Sequence, residues 1–92
     1  MTITGSISLV GNNKVVIEQN GKLIINGGIL ANAEFVLNPP CTIRIINEGA
    51  IYMKANCDFD PPVGCTVEIN RGVIGNMNKI NWHTWCQNPN FY

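Results

Sequence analysis

Charge is scarce in this chain: 13% of its 92 residues are charged, and six basic residues balance six acidic ones to a formal net charge of zero. A surface of that kind projects no long-range field toward nucleic acid or anionic lipid, so neither is expected as a partner. Hydrophobic residues make up 46% of the chain, yet no apolar run approaches the ~18 residues that a membrane span requires, and insertion into a membrane is not expected. The opening MTITGSISLV places no basic residue ahead of an apolar block and does not read as an export leader. An exported form is therefore expected to be a mature or excised piece. Helical periodicity is missing as well, because apolar residues do not recur at three and four positions.

What is present is turn chemistry and β-branched residues. Ile, Val, Thr and Asn abound, and nine glycines punctuate the chain. Apolar residues alternate in short runs: Ile3, Ile7 and Leu9; Leu23 and Ile25; Ala33, Phe35 and Leu37; Cys41, Ile43 and Ile45; Cys65, Val67 and Ile69. Each run reads as a strand of about four to seven residues with one face inward, bounded by Asn-Gly, Gly-Gly, Pro-Pro or Gly-Asn-Asn. The fold class is all-β, and at this length the chain is one domain, residues 1–92.

Two of these runs say nearly the same thing. CTIRIINEGAI at 41–51 is followed by CTVEINRGVI at 65–74. Cys41 and Cys65 are 24 positions apart, Gly49 and Gly72 are 23 apart, and Pro39-Pro40 precede Pro61-Pro62 by 22. A fainter copy, VVIEQNGKLII at 15–25, aligns Gly21 with Gly49 at a distance of 28. Periods of 20 to 30 residues in a β-rich chain indicate a solenoid in which each repeat is one coil. The charges agree, since Arg44 and Glu68 occupy the same place in the two copies and reverse sign, as do Glu48 and Arg71. Stacked ~4.8 Å apart, such pairs attract where like charges would repel. Asn47 and Asn70, each two before its glycine, are expected to form an Asn ladder at the bend.

With its Gly-punctuated segments NGKLIINGGIL and EGAIYMKANC, the chain resembles the right-handed parallel β-helix, especially the β-helical stretches of secreted bacterial surface proteins. The resemblance covers roughly residues 5–78 and implies about three coils, followed by an aromatic cap at about 79–92. A left-handed helix is disfavoured because no six-residue repeat is visible. A small antiparallel β-sandwich is the alternative, since short strands and turns read much the same in either fold. Polysaccharide lyases and hydrolases of β-helical fold resemble one another in long chains with acidic clusters, and this chain has no such cluster. No catalytic residue is therefore assigned.

The four cysteines, Cys41, Cys57, Cys65 and Cys86, are an even number in a short chain, which favours an oxidising compartment. Cys41 and Cys65 share phase with inward Ile and Val, so adjacent coils would bring them within disulfide range or leave them as two stacked buried thiols. Cys57 and Cys86 are then the second candidate pair. His83 and Cys86 stand three apart, but without a Cys-x-x-Cys the spacing gives no zinc site. Asp58 and Asp60 could offer carboxylates to calcium, which needs six or more oxygens, and they read better as a solvated loop. No metal or cofactor is expected.

The tail NWHTWCQNPNFY contains Trp82, Trp85, Phe91 and Tyr92. Coil ends expose apolar core and strand edges, so these aromatics read as a cap or as a surface for a protein partner or a glycan. The expected function is a non-catalytic structural or interaction module of an extracellular or cell-surface bacterial assembly, docking or self-associating through a coil end. A carbohydrate-binding module using the aromatic tail is one alternative, and a fragment of a polysaccharide-active enzyme is another.

Overall fold

The structure, a computed structural model, describes residues 1–76. Among the described residues ten strands follow one another without a helix: β1 (Thr2–Ile3), β2 (Ser6–Ser8), β3 (Val15–Ile17), β4 (Lys22–Asn26), β5 (Ile29–Ala33), β6 (Phe35–Leu37), β7 (Cys41–Ile46), β8 (Ala50–Met53), β9 (Cys65–Asn70) and β10 (Val73–Asn76). They build two four-stranded sheets, β1-β4-β7-β9 and β2-β5-β8-β10, and a two-stranded sheet, β3-β6. Every pairing is parallel. Parallel pairing between segments some 20 residues apart is the signature of a β-solenoid, here of about three turns with β9 and β10 opening another. It excludes the antiparallel sandwich.

Alternation along each strand fixes the register, because a slip by one residue would turn every inward side chain to solvent. Ile43 lies against Val67, Ile45 against Ile69, Arg44 against Glu68 and Cys41 against Cys65, as the repeat requires. One inward column is isoleucine throughout: Ile3 pairs with Ile25, Ile25 with Ile45, and Ile45 with Ile69. A second runs from Leu30 through Ile51 to Ile74. Ile25, Ile43, Ile45, Ile51 and Ile74 are fully enclosed, and burying a side chain of this size contributes ~1.5–3 kcal/mol.

Corners keep the turns together. Val73 N–H donates to Gly49 O at 3.1 Å, Ala50 N–H to Gly28 O at 2.9 Å and Gly27 N–H to Ile46 O at 3.0 Å, so the ladder of main-chain bonds continues around the bend. Gly49 is required for space, since a Cβ there would fall 2.7 Å from Ile25 Cγ2 and 2.9 Å from Ile25 O. The residue before each corner glycine adopts a positive φ: Gly27 at 75°, Glu48 at 66° and Arg71 at 61°.

Two expectations about the corners are corrected by the register. Because Ile29 pairs with Ala50, the counterpart of Gly49 in the preceding turn is Gly28; Gly21, before β4, falls level with Cys41 instead. The earlier copy is thus KLIINGGIL. The expected Asn47–Asn70 ladder also does not form in that register: Asn70 pairs with Ile46, while Asn47 Nδ2 donates to Asn26 Oδ1 at 2.7 Å. The corner after β7 holds one residue more than the corner after β9, and this moves Asn47 out of line.

The third side is less regular. β3 and β6 pair there, but the next turn crosses it as a loop through Asp58–Pro62. Pro61 and Pro62 cannot donate to a ladder. Phe59 fills the interior in place of a strand, 2% exposed, its ring edge-on to Phe35 with centroids 5.9 Å apart and planes at 75°.

Candidate functional site

The sign reversals seen in the sequence are ion pairs between turns. Arg44 Nε lies 3.4 Å from Glu68 Oε2, and Arg71 Nη2 lies 3.5 Å from Glu48 Oε1. A third ladder was missed: Lys14 Nζ stands 3.3 Å from Glu34 Oε2, and Lys54 Nζ stands 3.4 Å from Glu34 Oε1. Its signal was available, because the three residues recur at intervals of 20 with alternating sign. Lys54 also donates to Gly11 O at 2.9 Å, which ties three turns at one edge. The hydrogen bond from Lys14, with Lys54 beside it, holds the Glu34 carboxyl below its ordinary range. These ladders are structural, since each charge is answered by the next turn.

β7 and β9 both begin with cysteine, and their in-register pairing brings the two thiols together. Cys41 is 3% exposed and its Sγ–H donates to Cys65 Sγ at 3.4 Å. Cys65 is partly exposed, while Gly64, with φ 95°, and Thr66 beside it are exposed. Burial, then the hydrogen bond and charge of Cys41, push the Cys65 thiol up to about 12. At neutral pH it is a protonated thiol. Cys41, Cys57 and Cys65 are all free; Cys57 is partly buried in a turn whose carbonyl accepts from Asn76 Nδ2 at 2.6 Å. Its expected partner Cys86 lies outside the described residues, as do the aromatic candidates Trp82, Trp85, Phe91 and Tyr92 and the expected cap.

Asp58 and Asp60 are exposed on the rim of a cleft of about 320 Å³ whose floor includes Phe35, Met53 and Phe59. Among the described residues, no group of three or more His, Cys, Asp or Glu side chains converges to hold a metal. Among them, too, no helix is long and apolar enough to cross a membrane.

The N-terminal end has a different character. β1, β2 and β3 each stand last in their sheets, so one edge of each has no strand beside it among the described residues. Ile7 pairs with Leu30, whose side chain is 1% exposed and points to the core, yet Ile7 itself is 40% exposed. Its inward phase was legible, and its exposure follows from its place on β2, the last strand of its sheet among the described residues. Met1 and Val10 add exposed apolar surface, while Thr2, Thr4, Ser6 and Ser8 add exposed hydroxyls without charge. Set against known protein families, characterised proteins and solved structures, the chain matches none of them.

Proposed function

We propose that the chain is a non-catalytic structural or interaction module of an extracellular bacterial assembly, and that it docks through its N-terminal coil end onto a second copy. The observation that supports this reading is Ile7, a core-register side chain left 40% exposed beside edges of β1 and β2 that have no strand beside them among the described residues. Edges of this kind are natural templates for another strand, and proteins that keep them solitary blunt them with charge, proline or a covering loop. Residues 1–10 contain no charged side chain and no proline. With the Met1 ammonium, held against Lys22 O, as the one formal charge of residues 1–10, this end meets its own copy with little repulsion, and a two-fold contact between like ends closes at a dimer. The even number of cysteines in so short a sequence is the feature behind the placement outside the cell.

Sedimentation over a range of concentrations tests the proposal. The wild type is expected to pass from monomer to a larger species, and Ile7→Lys to remain monomeric with a nearly unchanged unfolding midpoint, because that site is already open to water. Val63→Lys, at a fully exposed loop position, serves as the control that still associates. A wild type that is monomeric at every concentration overturns the docking reading. Turnover of a polysaccharide that is lost in Asp58→Asn or Asp60→Asn overturns the non-catalytic one.

A further inference from the structure

The strongest chemical juxtaposition in the molecule is the thiol pair at the start of β7 and β9. Their sulfurs are 3.4 Å apart, with Cys41 buried and Cys65 partly exposed. A cleft of about 240 Å³ lies beside the pair, lined by Asn20, Pro40, Cys41, Gly64 and Thr66 but not by Cys65 itself. Strands in a parallel sheet lie ~4.8 Å apart, which puts the two Cα atoms inside the range that a disulfide accepts. Side chains in register on parallel strands project side by side, however, so their Cβ atoms start near the strand spacing, wider than the ~3.8 Å that a relaxed disulfide prefers. A bond formed here is strained, and strained bonds are the reducible ones.

We infer that Cys41 and Cys65 form a reversible modification site that takes a low-molecular-weight disulfide as co-reactant, with Cys65 as the entry thiol and Cys41 as the resolving thiol. In the first step the Cys65 thiolate attacks one sulfur of the small disulfide; a Cys65–small-thiol bond forms, the small S–S bond breaks, and one small thiolate leaves and takes up the Cys65 proton. In the second, Cys41 gives up its proton and attacks the Cys65 sulfur, the Cys41–Cys65 bond forms, and the second small thiolate leaves with that proton. The two protein thiols are oxidised and the small disulfide is reduced to two thiols. The order follows from access, since Cys65 is the more exposed of the two residues. The high proton affinity of Cys65 makes the first step slow at neutral pH and faster as the solution becomes alkaline.

Because the bond would close the turn from Cys41 to Cys65, its formation restricts the unfolded chain and is expected to raise the thermal midpoint by roughly 5–15 °C. The test uses oxidised glutathione on the full chain, with intact mass and peptide mapping after alkylation. The wild type is expected to lose two hydrogens, with Cys41 and Cys65 recovered in one linked peptide that dithiothreitol separates. Cys41→Ser is expected to stop at one glutathione on Cys65, and Cys65→Ser to leave Cys41 unmodified. Cys57→Ser/Cys86→Ser keeps the reaction visible if the other two cysteines also oxidise. Glutathione carried stably by Cys65 in the wild type, Cys41 taking up glutathione in Cys65→Ser, or both thiols still alkylated after alkaline incubation would each overturn the inference.

Discussion

Arg44 and Glu68 stand one above the other on neighbouring turns, 3.4 Å from Nε to Oε2, in the register that pairs β7 with β9. Both side chains are about half exposed, 47% and 49%, so the pair is screened and contributes ~0.2–1 kcal/mol. Arg44→Glu is expected to cost about 0.5–1 kcal/mol by placing like charges together, and Arg44→Glu/Glu68→Arg to recover most of that loss. Urea unfolding of the four proteins in a double-mutant cycle measures the coupling. Strictly additive single effects would mean that the register carries no electrostatic preference.

The corner at Gly72 is predicted to be intolerant. A Cβ there would run into Ile45 Cγ2 and lie 2.9 Å from Gly49 O, so the fully enclosed Ile45 would have to shift. Gly72→Ala is expected to destabilise by about 1–3 kcal/mol through overpacking. Gly5→Ala, where nothing lies within 4 Å of the added carbon, is expected to stay near neutral. Equal unfolding midpoints for the two variants would contradict this packing.

Phe59 substitutes for a strand on the third side. With 2% exposure and an edge-on contact to Phe35, its truncation to Ala is expected to cost ~3–5 kcal/mol, a large fraction of the stability of a small domain. Phe59→Leu should recover much of it by refilling volume. Chemical denaturation followed by far-ultraviolet circular dichroism reads both.

Stability is expected to change at both ends of the pH scale. Cys65 is raised from 9.0 to about 12 in the folded chain, so above pH 9 the unfolded chain loses a proton that the native state keeps. Stability then falls as pH rises from about 9 toward 12, and Cys65→Ala should flatten that decline. Glu34 is lowered from 4.5, so its contribution is present above that value and is lost as pH falls through the folded one. Glu34→Gln should remove this part of the acid sensitivity. Midpoints that follow the same pH profile in wild type and variants would refute both assignments.

The principal sheet was legible because each of its longer strands presents one apolar face, and because Arg44 and Glu68 report register independently of hydrophobicity. Ile43 on Val67 and Cys41 on Cys65 followed directly. The second turn was harder: Gly21 and Gly28 both follow turn-forming residues, and choosing between them needs the pairing of Ile29 with Ala50. The displacement of Asn47 required knowing that one corner holds an extra residue, which alternation within strands cannot reveal. Three-residue strands such as β3 and β6 carry too little pattern to identify a third side. At the candidate site, proximity of the thiols was readable from spacing, whereas their free state and unequal exposure depend on packing around Gly64 and Pro40.

Turn length in this molecule varies while the sheets stay aligned. Lys22 meets Thr42 after 20 residues, and Cys41 meets Cys65 after 24. The corner at Asn47 adds one residue, a register shift between Leu30 and Ala33 takes one back, and the loop that carries Val63 absorbs the rest. Strand spacing is set by main-chain bonds alone, so the frame is indifferent to how much chain departs between one rung and the next. The Val63 loop is consequently a place for grafting: a foreign peptide of arbitrary length inserted there would be displayed outward from a rigid lattice, at a position that is already fully exposed.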